Sequence, residues 1–143
     1  MRRPKESLSP NLDSAISYAL RDLRIVREMQ VTVNYFKEQI DFASKNNIGD
    51  FVIDYDERGL FSNLVKLIAE KYKQSEEYRY SDYYDIEYVY QGDDISKSRK
   101  RKATPYIAAY IIKRFLPDNI EISRIYSQYE DNEFYFGVEI TIN

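Results

Sequence analysis

Lys97, Ser98, Arg99, Lys100, Arg101 and Lys102 put five positive charges into six positions. Such a density suits contact with a phosphate backbone, where each neutralised phosphate releases a counterion. Thr104 and Pro105 follow as a good N-cap and first helical residue. The dipole of a helix starting there adds a further partial positive charge at the same end, which an anion would relieve. Arg2, Arg3 and Lys5 could add to this surface from the N-terminal arm. Arg2, Arg3, Lys5, Lys97, Arg99, Lys100, Arg101 and Lys102 are therefore the candidate nucleic-acid contacts. The alternative is a solvated loop, or one folded back on the acids that precede it. A nuclear-targeting role for the same run is compatible with its composition but unspecific.

Those acids form the second constellation. Glu76, Glu77, Asp82, Asp85, Glu87, Asp93 and Asp94 stand against the single base Arg79, and Tyr78, Tyr80, Tyr83, Tyr84, Tyr88 and Tyr90 alternate with them. Tyrosine offers a large amphipathic contact area at low entropic cost, so an acidic, tyrosine-rich surface has the composition of a protein-binding site. The expected partner contacts are Tyr78, Tyr80, Asp82, Tyr83, Asp85 and Glu87. The same acids repel nucleic acid, and such a surface could instead occupy another protein's nucleic-acid site by mimicry. The competing reading puts Tyr84, Tyr88 and Tyr90 in the core of a strand and leaves Tyr78, Tyr80 and Tyr83 exposed.

A third constellation is catalytic in type. Asp54 with Asp56, and Asp85 with Glu87, are spaced to share strand faces, and on neighbouring strands four carboxylates could hold Mg²⁺ for phosphoryl transfer. No lysine stands two residues beyond either pair, and both pairs also read as solvated positions with Asp56 as a helix cap. The chain has no cysteine and no histidine. That removes disulfides, thiolate nucleophiles and the usual imidazole base. With four glycines there is no Gly-rich phosphate loop. The expectation is a non-catalytic binding protein without a cofactor. Its partner is another protein, engaged as an inhibitor, an immunity-type antagonist or an adaptor. A DNA- or RNA-binding regulator is the second reading and a Mg²⁺-dependent enzyme the third.

The elements that must position these residues follow from periodicity. A chain of 143 residues with 43% hydrophobic content and a net charge of −3 is the size of one domain. The net charge limits any nucleic-acid contact to a local patch. No run reaches the length of a membrane span, so a soluble intracellular protein without a membrane partner is expected. Abundant Ile, Tyr, Lys and Asn with scarce Gly and Pro suggest an AT-rich source such as a mobile element. Residues 1–9 read as a flexible basic arm and 10–143 as a single α+β domain.

Leu12, Ile16, Ala19, Leu23 and Val26, then Val33, Phe36, Ile40 and Ala43, mark one long amphipathic helix or two in series with an imperfect turn near Met29 and Gln30. Unbroken, it would overhang a domain of this size, which predicts a homodimer through the N-terminal helix. Asn46 to Gly49 predict a helix stop with Gly49 left-handed. A strand is expected at Phe51 to Tyr55, and a helix through Leu60, Leu64, Ile68 and Tyr72 to about Gln74, capped by Asp56. A half-buried strand at Tyr84 to Tyr90 should close at Gly92, Asp93 and Asp94. Pro105 to Phe115 is apolar nearly all round and predicts the central core helix. A hairpin of Asn119 to Tyr129 and Phe134 to Ile142 finishes the chain, with a bulge near Ser123 and Arg124. The sum is a mainly antiparallel sheet of about four strands, with the C-terminal hairpin packed against two further helices.

Overall fold

The computed structural model describes residues 10–53, 59–79, 93–94 and 104–143; for Pro10, Asn11, Arg79, Asp93 and Asp94 it describes the backbone alone. The architecture is α+β. In chain order the elements are α1 (Pro10–Ala19), α2 (Leu23–Lys45), β1 (Asp50–Ile53), α3 (Leu60–Lys73), α4 (Glu76–Arg79), β2 (Asp93–Asp94), α5 (Thr104–Lys113), β3 (Ile120–Glu130) and β4 (Glu133–Ile142). The sheet is antiparallel in the order β1-β4-β3-β2, with β2 described at Asp93 and Asp94.

The N-terminal helical pattern divides into two helices, and the break falls at Leu20 to Asp22 rather than at Met29. Asp22 is the reason. Its backbone is extended, at φ −90° and ψ 119°, and its Oδ1 accepts the Arg24 N–H at 2.9 Å, which satisfies one of the orphan donors at the start of α2. The Arg24 guanidinium closes over the same carboxylate at 3.1 Å. That side-chain hydrogen bond is the main cause holding the Asp22 pKa below its ordinary value. The far end of α2 stops in a Schellman arrangement: Ile48 N–H reaches Ala43 O at 2.9 Å and Asn47 N–H reaches Ser44 O at 3.3 Å. The left-handed residue is Asn47, at φ 59°, so Gly49 is not the one that reverses the chain. Asn is the non-glycine residue best suited to that conformation.

The helix α3 starts after Gly59, which sits at φ 65° as an N-cap with no side-chain cap bond. Glycine therefore supplies by conformation what Asp56 was expected to supply by hydrogen bonding; Asp56 itself lies outside the described residues. The helix α5 is the core helix: Thr104 to Ala109, Ile111 and Ile112 are all buried. It packs on α3, α2 and β3, while α3 also meets β4.

The hairpin is where the sequence pattern and the structure agree most closely. Phe136, Val138 and Ile140 are buried on the helical side of β4, and Phe134 and Ile142 lie partly buried against the core. The register shift between Ile122 and Arg124 is the expected bulge. Asp93 and Asp94 differ from the expected strand end: they pair with Ile125 and Arg124. The helix α3 packs against β4. The buried Ser62 Oγ accepts Phe136 N–H at 2.9 Å, so a strand donor that would otherwise be orphaned has a partner.

Two stability predictions follow. Phe136→Ala should cost about 3 to 5 kcal/mol, because it removes a buried ring and leaves a cavity, whereas Tyr135→Ala on the outward face should cost much less; urea denaturation of the two variants decides this. Asp22→Ala should cost about 1 kcal/mol through loss of the cap. Because the folded pKa of Asp22 is lowered, its contribution is present above the ordinary aspartate value of 3.8 and is lost as the pH falls through the folded value. The stability gap between wild type and Asp22→Asn should therefore close below that pH, and a gap that persists unchanged into stronger acid contradicts the charge-assisted cap.

Candidate functional site: the exposed hairpin turn

β3 and β4 are eleven and ten residues long, or about 34 Å at the usual rise per strand residue. β1 pairs with Val138 to Thr141, and the described residues of β2 pair with Ile125 and Arg124. From Tyr129 to Glu133 every residue is exposed.

The turn that closes it is tight. Asp131 and Asn132 sit at φ 53° and 65°, the pair of positive angles that a two-residue type I′ turn requires and that Asp and Asn tolerate better than most residues. Tyr129 stands directly before this turn and is 61% exposed. It is nonetheless held: its ring lies 4.8 Å from that of Phe134, Phe134 stacks on Phe136 at 6.2 Å, and its hydroxyl donates to Asn132 Oδ1 at 3.4 Å. An aromatic ladder thus runs from the buried Phe136 to an exposed tyrosine.

Acids surround that tyrosine. Glu130 and Glu133 are directly opposite each other in the ladder, with Asp131 in the turn between them. Like charges placed in this way destabilise a strand pair. Lys66 Nζ offsets one of them, reaching Glu133 at 2.6 Å while lying 4.8 Å from the Tyr135 ring centre. Glu130 receives a hydrogen bond from Gln128 Nε2 at 3.3 Å, which leaves its charge uncompensated by any described cation.

Of the residues expected to bind partners, one is described. Tyr78 is a core residue, 5% exposed. Ser75 caps the single turn of α4 by accepting the Glu77 and Tyr78 amides, which turns Tyr78 inward between Tyr18 and Tyr72, with ring centres 5.3 and 5.5 Å away. Its hydroxyl shares a 2.7 Å hydrogen bond with Ser14, and burial is the first cause raising its pKa. The expected contact is thus a clasp between α1, α3 and α4. Tyr80, Asp82, Tyr83, Asp85 and Glu87 lie outside the described residues. So do Arg2, Arg3, Lys5, Lys97, Arg99, Lys100, Arg101 and Lys102, and the carboxylates Asp54 and Asp56. Among the described residues no group of three or more acids is placed to hold a metal ion, and no helix is long and apolar enough to cross a membrane.

Sequence reasoning treated Tyr129 as the last residue of a strand. The signal that marks it out is the run of acids on either side of a two-residue Asp-Asn turn. No protein-family model, no curated protein and no solved structure matches this chain.

The opposed acids give a testable consequence. Glu130→Lys converts a like-charge pair into an attractive one and should stabilise the fold by about 0.2 to 1 kcal/mol. Equal denaturation midpoints for this variant and wild type at low salt would show that the two carboxylates do not interact.

Proposed function

We propose that this protein acts by binding another protein, without catalysis, in the manner of an inhibitor, an immunity-type antagonist or an adaptor. The observation that supports this reading is the exposed Tyr129, packed on Phe134 and framed by Glu130, Asp131 and Glu133 at the turn of the hairpin. A pre-ordered aromatic side chain loses little entropy on docking and is among the residue types that dominate interface energies. The surrounding acids select a basic protein surface and speed encounter with it. They also repel a phosphate backbone. The acidic, tyrosine-rich composition of residues 76–94 has the same character. A nucleic-acid-binding regulator acting through Lys97 to Lys102 is the alternative, and it rests on the sequence.

The experiment is capture from an extract of the source organism with tagged full-length chain, scored for both protein and nucleic acid. Wild type should retain a defined protein whether or not nuclease is added. Tyr129→Ala should weaken retention by about 2 kcal/mol, near thirtyfold, if Tyr129 is an interface anchor, and charge reversal at Glu130 and Asp131 should slow association. Retained nucleic acid that is released by salt, or equal capture of the same protein by Tyr129→Ala, would overturn the reading.

A further inference from the structure

The solvent side of α2 carries three large apolar side chains that the fold leaves in water: Leu23 is 66%, Val31 51% and Phe42 63% exposed. Each alone would be unremarkable. Their positions are not independent of the charges between them. Leu23, Arg27 and Val31 form one row at four-residue spacing, and Asn34, Glu38 and Phe42 form a second, with a single three-residue step between the rows. All six are exposed and occupy one side of the helix, roughly 100° wide at 3.6 residues per turn. Read from either end, the spacing is the same.

We propose that this stripe is a self-complementary dimerisation surface, and that its occupant is a second copy of the chain with its α2 running antiparallel. A two-fold axis crossing α2 between Thr32 and Val33 brings Leu23 level with Phe42 of the other copy, Arg27 level with Glu38, and Val31 level with Asn34. The two-fold repeats each pairing, as an isologous interface requires. Leu23 and Phe42 meet at both ends, Val31 faces Asn34 near the axis, and one ion pair lies between on each side. A parallel arrangement would instead set Arg27 against Arg27 and Glu38 against Glu38.

The chain's own ion pairs favour the same choice. Arg24 is clasped by Asp22 and Asp41 by Lys45, whereas Arg27 and Glu38 have no ion-pair partner among the described residues. They lie about 16 Å apart along the helix at 1.5 Å per residue, too far to reach each other. The charges left over on this face are therefore the two that a second copy would neutralise. The surface is distinct from the hairpin tip, so the inference stands apart from the proposed function. It also differs from the overhang expected of one unbroken helix: apart from Leu23 and Val26, the apolar seam of α1 and α2 is buried within the chain, and the opposite side of α2 carries the stripe. One helix stripe gives an interface near the small end of the stable range, so the dimer should be weak, with a dissociation constant on the order of micromolar.

Sedimentation equilibrium of the full chain from low to high micromolar concentration should show the 17.1 kDa chain in equilibrium with a species of twice that mass. Arg27→Glu and Glu38→Arg alone should each weaken the dimer at least about fivefold, since every substitution acts twice across the axis. The double variant R27E/E38R should return to within about twofold of wild type, because the swapped charges again meet their opposites. An equimolar mixture of the two single variants should associate more tightly than either alone. All the substituted side chains are exposed, and thermal melts check that folding is intact. A strict monomer at high micromolar concentration overturns the proposal. A dimer whose affinity is indifferent to the single reversals, or is not restored by the double swap, places the contact on another surface and overturns it equally.

Discussion

Enclosing α5 is the constraint on which the rest of the structure depends. Eight of its ten residues are buried, and a helix apolar on nearly every side has no stable exposed orientation. It needs neighbours around its circumference, and β3, α3 and α2 supply them. Each of these neighbours must turn its own apolar side inward: Ile120, Ile122 and Ile125 from β3, Leu64, Val65 and Ile68 from α3, and Phe36 from α2 are all nearly inaccessible to water. What remains outward is consequently mostly polar. The described exceptions are Tyr129 on the hairpin, Leu23, Val31 and Phe42 on α2, and Ile48, Val52 and Phe115 singly elsewhere.

The hairpin illustrates how one device that serves stability could also serve the proposed recognition. The face of β4 that covers the helices continues past the core as the ladder Phe136, Phe134 and Tyr129. The inner end of this ladder is anchored by burial and by Ser62, which satisfies the Phe136 amide, and the outer end is held by a two-residue turn. A hairpin built in this way gains nothing from bringing Glu130 opposite Glu133. Tolerating that repulsion at an exposed turn is consistent with selection for a surface rather than for stability, since isolated substitutions there have several routes to a more stable pair.

Much of this was legible in the residues. Alternation from Phe134 to Ile142 identified the inward face of β4, and the interruption between Ile122 and Ile125 located the bulge, because a period of two is rigid and any departure from it is visible. The nearly all-round apolar character of Pro105 to Phe115 identified the core helix for the same kind of reason, although the helix ends at Lys113 and Phe115 is exposed. Local capping was less legible. The α1 to α2 break depends on the Asp22 and Arg24 pair, and the α2 stop on Asn47 in place of Gly49; in both cases the competing residues have similar propensities and geometry decides. Tyr78 could not be assigned from composition, since a tyrosine suits an interface and a core equally until its hydroxyl finds Ser14. The stripe on α2 was hidden for a further reason: Leu23 fitted the periodic apolar seam, and only the break at Asp22 shows that it faces water.

The central claim, that the exposed hairpin is a protein-docking element, is tested most directly by backbone hydrogen exchange of the full chain, free and in complex with the protein it captures. The account predicts slower exchange in the complex at residues 127–135, with α5 unchanged because its amides are already protected by the core. Exchange at 127–135 that is the same in both states, with protection appearing elsewhere, would contradict it.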